Sequence, residues 1–250
     1  MKYAFAGDRA ISVHILAFLI GKGYPPSALF VVEEGAASHA AALSELCGLP
    51  EALQFQGNAF KEAGAIAMLQ KLELDYIIGI HFPYLVPKSI LQLSKVGVLN
   101  LHPAYLPYNK GWHTPSWAIL EGQPFGATLH FMEEGIDQGD IVHQKMLEVL
   151  PTDTANSLYQ RALNLEETVF YEAFEDLLTL KPKRKPQGCD GTVHRKKDLA
   201  QFQKIELQQQ YTGAEIINRL RGLTTNTDQE AAYFEYQGKK IGIHIYFKEF

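Results

Sequence analysis

The chain is 250 residues long, which at ~150 residues per domain admits one large domain, or one domain with a small appendix. With 46% hydrophobic, 20% charged and 11% aromatic residues, its composition is globular and excludes disorder and collagen. The net charge of −5 is uneven: residues 181–198 hold seven Lys or Arg against two Asp. The acidic remainder disfavours a nucleic-acid partner, while the basic strip reads either as a solvated linker or as a seat for a small anion such as a diphosphate. Two distant cysteines, Cys47 and Cys189, argue against a disulfide framework. The N-terminus lacks a signal-peptide run, and no stretch reaches the ~18 apolar residues of a membrane span, so cytoplasm is the expected location.

Residues 3–6, 29–33, 76–81 and 97–101 read as buried strands. Between them, residues 11–21, 38–47 and 60–72 carry helical spacing, with Gly21 and Gly23 as stop signals. This alternation predicts an α/β fold with a Rossmann-like open, mostly parallel sheet and helices on both faces. The first turn, Gly7-Asp8-Arg9-Ala10-Ile11-Ser12, has only one of the three glycines of a dinucleotide fingerprint, and there is no P-loop.

After His102 comes a Pro-, Tyr- and Gly-rich loop, 102–115, and a short helix, 116–121. Two strands, 126–132 and 141–150, then read as an antiparallel addition around the turn Glu133-Glu134-Gly135-Ile136-Asp137-Gln138-Gly139-Asp140. The longest helical pattern, 155–180, places Leu158, Ala162, Leu165, Val169, Ala173 and Leu177 on one stripe, with Asp153 or Thr154 as its cap. In the tail, 214–220 reads as a helix, and 231–236 and 240–247 as a hairpin around Gln237-Gly238.

Asn100 and His102, two apart near a strand end, share one face, and the carboxyl end of a parallel strand is where ligands bind. Asp137, in a later turn, is a candidate to orient the imidazole. By residue type alone these three are also ordinary strand-end and turn residues. The nine histidines show no metal-ligand spacing, so no metal is expected; His81, His130 and His143 read as structural or near-site residues.

The string Asn100-Leu101-His102-Pro103-Ala104-Tyr105-Leu106-Pro107-Tyr108-Asn109-Lys110-Gly111, followed by Ile136-Asp137-Gln138-Gly139-Asp140-Ile141, resembles the signature of the folate-dependent formyltransferases. That family includes the glycinamide ribonucleotide, methionyl-tRNA and nucleotide-linked amino-sugar enzymes. The resemblance implies formyl transfer from N10-formyltetrahydrofolate to a primary amine, with Asn100, His102 and Asp137 as the catalytic trio. It implies a folate site at Gly79-Ile80-His81-Phe82-Pro83-Tyr84-Leu85-Val86-Pro87 and around Met132 to Asp137, so that His81, Phe82, Pro83, Tyr84, Leu85, Met132, Ile136 and Asp137 are cofactor-binding candidates.

The resemblance is strongest to the sugar enzymes. The first turn lacks the glycinamide enzymes' Gly- and Asn-rich phosphate loop, and the tail is too short for the tRNA enzymes' second domain. The acceptor would be a dTDP-linked amino-dideoxyhexose, 4-amino favoured over 3-amino, used for surface polysaccharide, with GDP- and UDP-sugars as alternatives. Substrate-binding candidates are Tyr108, Asn109, Lys110, Trp112, His113, Arg195 and Lys196. One of Trp112 and Trp117 is expected to pack the short helix. Residues 1–180 would form the catalytic domain, and 181–250 a basic linker with a helix and hairpin extension serving a homodimer.

Overall fold

The computed structural model describes residues 1–33, 35, 39–248 and 250. Thus Ser38, expected to open the second helix, lies outside the described residues. The chain divides into two compact units, one of Met1–His102, Thr128–His143 and Glu166–Gln187, the other of Pro103–Ala127, Gln144–Leu165 and Gly188–Phe250.

In chain order the elements are β1 (Tyr3–Gly7), α1 (Arg9–Gly21), β2 (Ala28–Val31), α2 (Ala40–Cys47), β3 (Gln54–Gln56), α3 (Ala63–Lys71), β4 (Tyr76–Ile80), α4 (Lys88–Leu91) and β5 (Gly97–His102). There follow β6 (Lys110–Gly111), α5 (Thr114–Glu121), β7 (Gly126–Phe131), β8 (Ile141–Met146), α6 (Ala155–Leu178), β9 (Val193–His194), α7 (Ala200–Gln203), α8 (Gly213–Gly222), β10 (Ala232–Tyr236) and β11 (Lys239–Ile243).

The main sheet runs β3-β2-β1-β4-β5-β7-β8. Its first five strands pair in parallel, and β7 lies antiparallel to β5. Side chains alternate across it. Ala4, Ala6, Phe30, Ile77 and Val98 pack on one face with Phe60, Leu69 of α3 and Ile90 of α4. Tyr3, Phe5, Leu29, Tyr76 and Ile78 point to the other and are fully buried. There the Tyr76 hydroxyl donates to the Leu177 carbonyl of α6 at 3.1 Å. Burial pushes that hydroxyl up to about 12, so it remains a donor. Phe18 of α1 meets Tyr171 and Phe174 of α6 at centroid distances of 4.4 and 5.1 Å. Each large apolar side chain so buried contributes about 1.5–3 kcal/mol.

Two elements differ from the pattern read in the sequence. Strand β3 carries no visible sequence signal, because Phe55 is its only buried residue. The helix expected over 60–72 is broken into a 3₁₀ turn at Ala59–Lys61 and α3. The last segment of the first unit ends at Gln187, and within it Lys185 exchanges backbone hydrogen bonds of 2.8 and 2.9 Å with Ile141. The Arg184 guanidinium also lies 3.5 Å over the Phe131 ring and donates to the Val96 carbonyl at 2.7 Å.

The second unit has a core of Trp117, Leu199, Ile205, Leu223 and Ala232. Helix α8 starts at a capping box: Glu215 N donates to Thr212 Oγ1 at 3.1 Å, and Thr212 N to Glu215 Oε2 at 2.7 Å. The hairpin β10–β11 turns through Gln237 (φ 49°) and Gly238 (φ 75°), the two left-handed residues of a tight two-residue loop.

Candidate active site

Antiparallel pairing sets Asn100 of β5 opposite His130 of β7, and the turn after β7 returns Asp137 to the same face. Asn100 Nδ2 is 3.5 Å from Asp137 Oδ1, and His102 Nε2 is 3.4 Å from Asp137 Oδ2. The trio expected from the sequence is thus a physical cluster with both ionisable side chains mostly shielded. Asp137 has a left-handed backbone, φ 47°, a conformation that Asp tolerates better than most residues.

His130 is the fourth member. It is 1% exposed, its Nδ1 lies 2.7 Å from the Phe131 carbonyl, and its Nε2 lies 3.3 Å from Asn100 Nδ2. Burial, only partly offset by Asp137, pushes it down to about 4. The ring is therefore neutral at pH 7, with its proton on Nδ1, and Nε2 accepts from the Asn100 amide. The cluster presents an amide donor, an imidazole and a carboxylate, a set suited to stabilising an oxyanion and moving a proton.

Beside Asn100 opens a narrow apolar slot lined by Phe82, Tyr84, Val86 and Met132. Gly79 belongs to its wall, where an added Cβ would meet the Leu99 carbonyl oxygen at 3.2 Å. The slot is mostly apolar, with the Asn100 amide as the polar group in its lining. Of the expected cofactor residues, Phe82, Tyr84 and Met132 line this slot. His81 does not: its backbone is left-handed, φ 52°, and its Nε2 lies 2.9 and 3.0 Å from the two oxygens of Glu166, which is completely buried. Pro83 is also outside the lining. Leu85 is 84% exposed and Ile136 46%, so neither covers the slot.

The expected acceptor residues lie in the second unit. Lys110 and Gly111 of β6 pair with Val193 and His194 of β9. This pairing brings the loop against the basic segment, with Lys196 Nζ 5.1 Å from the centroid of the half-exposed Trp112 ring. Arg195 is exposed, and Tyr108 partly so. His113 is engaged within the protein, its Nε2 3.2 Å from the Lys196 carbonyl and its Nδ1 3.6 Å from Glu230. Asn109 corrects the expectation outright. It is 0% exposed, donates to the Pro124 carbonyl at 3.2 Å and so shapes the loop from inside. Trp117 is the packing tryptophan, stacked on His194 with centroids 3.9 Å apart.

Two polar residues that the sequence reading passed over touch this region of the first unit. Glu166 follows Ala162 by four on the apolar stripe of α6, and a carboxylate on a buried stripe was the available signal. Gln187, inside the basic strip, donates to the carbonyls of Asp137 and Gly139 at 2.9 and 2.8 Å. Among the described residues no group of three or more His, Cys, Asp or Glu is placed to hold a metal ion, and no helix is long and apolar enough to cross a membrane.

The chain is 27% identical over 171 residues to a dTDP-4-amino-4,6-dideoxyglucose formyltransferase of Mycobacterium bovis, covering 68% of this chain and 72% of that protein. It is 24% identical over 247 residues to a methionyl-tRNA formyltransferase of Alkaliphilus oremlandii, covering 96% and 79%. A 4-N formyltransferase from Francisella tularensis superimposes with a TM-score of 0.85 at 23% identity, covering 100% of this chain and 98% of that one, and so shares the fold. Residues 198–249 match an N-formyltransferase dimerization C-terminal domain. Residues 26–174, more than half the chain, match the formyl transferase family and include the whole Asn100, His102, His130 and Asp137 cluster; the chain belongs to that family.

Proposed function

We propose that the chain moves a formyl group from N10-formyltetrahydrofolate to the amine of a dTDP-linked 4-amino-dideoxyhexose, acting in the cytoplasm as a homodimer. The observation that carries the reading is the convergence of Asn100, His102 and Asp137 beside an apolar slot at the carboxyl end of β5. The slot takes the pterin. The amine nitrogen attacks the formyl carbon, and the Asn100 amide and His102 hydrogen-bond the oxyanion that forms. The proton shed by the amine passes to the His102–Asp137 pair and on to the folate nitrogen as its bond to carbon breaks. Lys110 and Lys196 take the nucleotide's diphosphate, the Trp112 ring takes its base or sugar, and Arg195 adds positive charge there. Residues 1–180 provide the chemistry, and 181–250 the extension.

The sugar acceptor is favoured over two others. The Asp8 carboxylate at the head of α1, which accepts from His39 N at 3.2 Å, sets negative charge where a ribonucleotide phosphate would dock. The net charge of −5 opposes tRNA docking, although the methionyl-tRNA relative spans nearly the whole chain. The exposed Tyr236, Ile241 and Tyr246 on and after the hairpin support a dimer surface. The test is incubation with the formyl donor and a panel of dTDP-, GDP- and UDP-amino sugars, glycinamide ribonucleotide and methionyl-tRNA, read by mass for one added formyl group. Product from a dTDP-4-amino sugar supports the proposal, and product only from the last two acceptors overturns it.

A further inference from the structure

We infer that Gln187 is a positioning residue for Asp137, an inference that rests on the proposed role of Asp137 in the transfer. Its carboxamide nitrogen has two protons and meets two acceptors, the Asp137 carbonyl at 2.9 Å and the Gly139 carbonyl at 2.8 Å. Contacts of that length to two carbonyl oxygens assign the nitrogen to this side of the amide.

The turn it grips carries Asp137 between β7 and β8. Phe131 N reaches the Asp140 carbonyl at 2.9 Å and closes the turn at its base, while Gly135, Asp137 and Gly139 all have positive φ, 154°, 47° and 107°. The left-handed conformation at Asp137 aims its carboxylate at Asn100 and His102, and the two Gln187 bonds clasp the backbone on either side of Gln138. Gln187 is itself held from a fixed base. Two residues earlier Lys185 is paired through its backbone with Ile141, and Arg184 is seated on Phe131 and Val96. Gln187 thus acts through the backbone that bears the carboxylate. A displacement of about 1 Å at a reacting group costs up to ~100-fold in rate, so a modest loosening of this turn is measurable as turnover.

The test compares Gln187→Leu, which keeps the volume and loses both donors, with Gln187→Glu, which keeps the shape and sets a carboxylate against two carbonyls. Turnover is normalised to folded protein, and each change is repeated in an Asp137→Asn background. The expected result is a fall in kcat of at least ~10-fold in both single variants, with the acceptor KM within about twofold. In the Asp137→Asn background neither change should cause a further fall, because the group being positioned is already disabled. Equal losses in both backgrounds, a change confined to KM, or unaltered kcat in the folded fraction would overturn the inference. Near-normal turnover in Asp137→Asn alone would instead remove the reading on which it rests.

Discussion

Asn100 and His130 form a donor–acceptor pair across β5 and β7, Nδ2 to Nε2 at 3.3 Å, and the imidazole can accept only while it is neutral. Burial keeps it so by pushing the ring from 6.5 to about 4. The unfolded chain therefore binds this proton more readily than the native state between those values. The associated stability is fully present above about pH 6.5 and is lost as the pH falls towards about 4, by on the order of 3 kcal/mol. Urea midpoints measured from pH 7 to 4 should fall less steeply in His130→Gln than in the native chain. Parallel curves would show that His130 does not titrate as its burial requires.

Replacing Asn100, His102 or Asp137 by Ala should each slow turnover by at least ~100-fold, the scale of a lost oxyanion donor or general base. The far-ultraviolet circular dichroism should stay native. Steady-state kinetics with a formyl donor and an accepted amine check this, and near-normal turnover in His102→Ala would remove that residue from the chemistry.

The His81–Glu166 pair stabilises the strand end at which the slot loop departs. Glu166→Ala removes the carboxylate that His81 faces and should cost about 1–3 kcal/mol in urea unfolding. Glu166→Gln, which keeps an acceptor for the ring, should cost clearly less. Equal effects would mean that the volume of the side chain, and not its hydrogen bonding, matters here.

The two tryptophans should separate by phenotype. Trp117→Ala empties the core of the second unit and should cost about 3–5 kcal/mol with little change in the acceptor KM. Trp112→Ala and Lys110→Ala should leave the melting temperature within a few degrees and raise the acceptor KM about tenfold, the worth of one charge-assisted or ring contact. An unchanged KM in Lys110→Ala would exclude it as a diphosphate contact.

Local pattern alone determined much of this protein. The short uninterrupted apolar runs of β1 and β4, bounded by turn or charged residues, fit a strand covered on both faces, and the stripe from Leu158 to Leu177 fits a long helix. Gln237-Gly238 marked its hairpin because few residues tolerate two successive left-handed positions. The i, i+2 spacing of Asn100 and His102 put both on one face, and the second motif supplied Asp137. Tertiary structure decided the rest, because those choices depend on partners distant in the chain. The pairing of Lys110 with Val193 joins two-residue segments 83 positions apart that carry no strand signal of their own. His81 turned to a carboxylate 85 residues away, Asn109 was enclosed by its own loop, and Gln187 found the Asp137 turn from within a segment whose charge read as a linker. A side chain's type says what it can bond; which bond it makes is set by whichever unsatisfied group the folded chain leaves within reach when water is excluded.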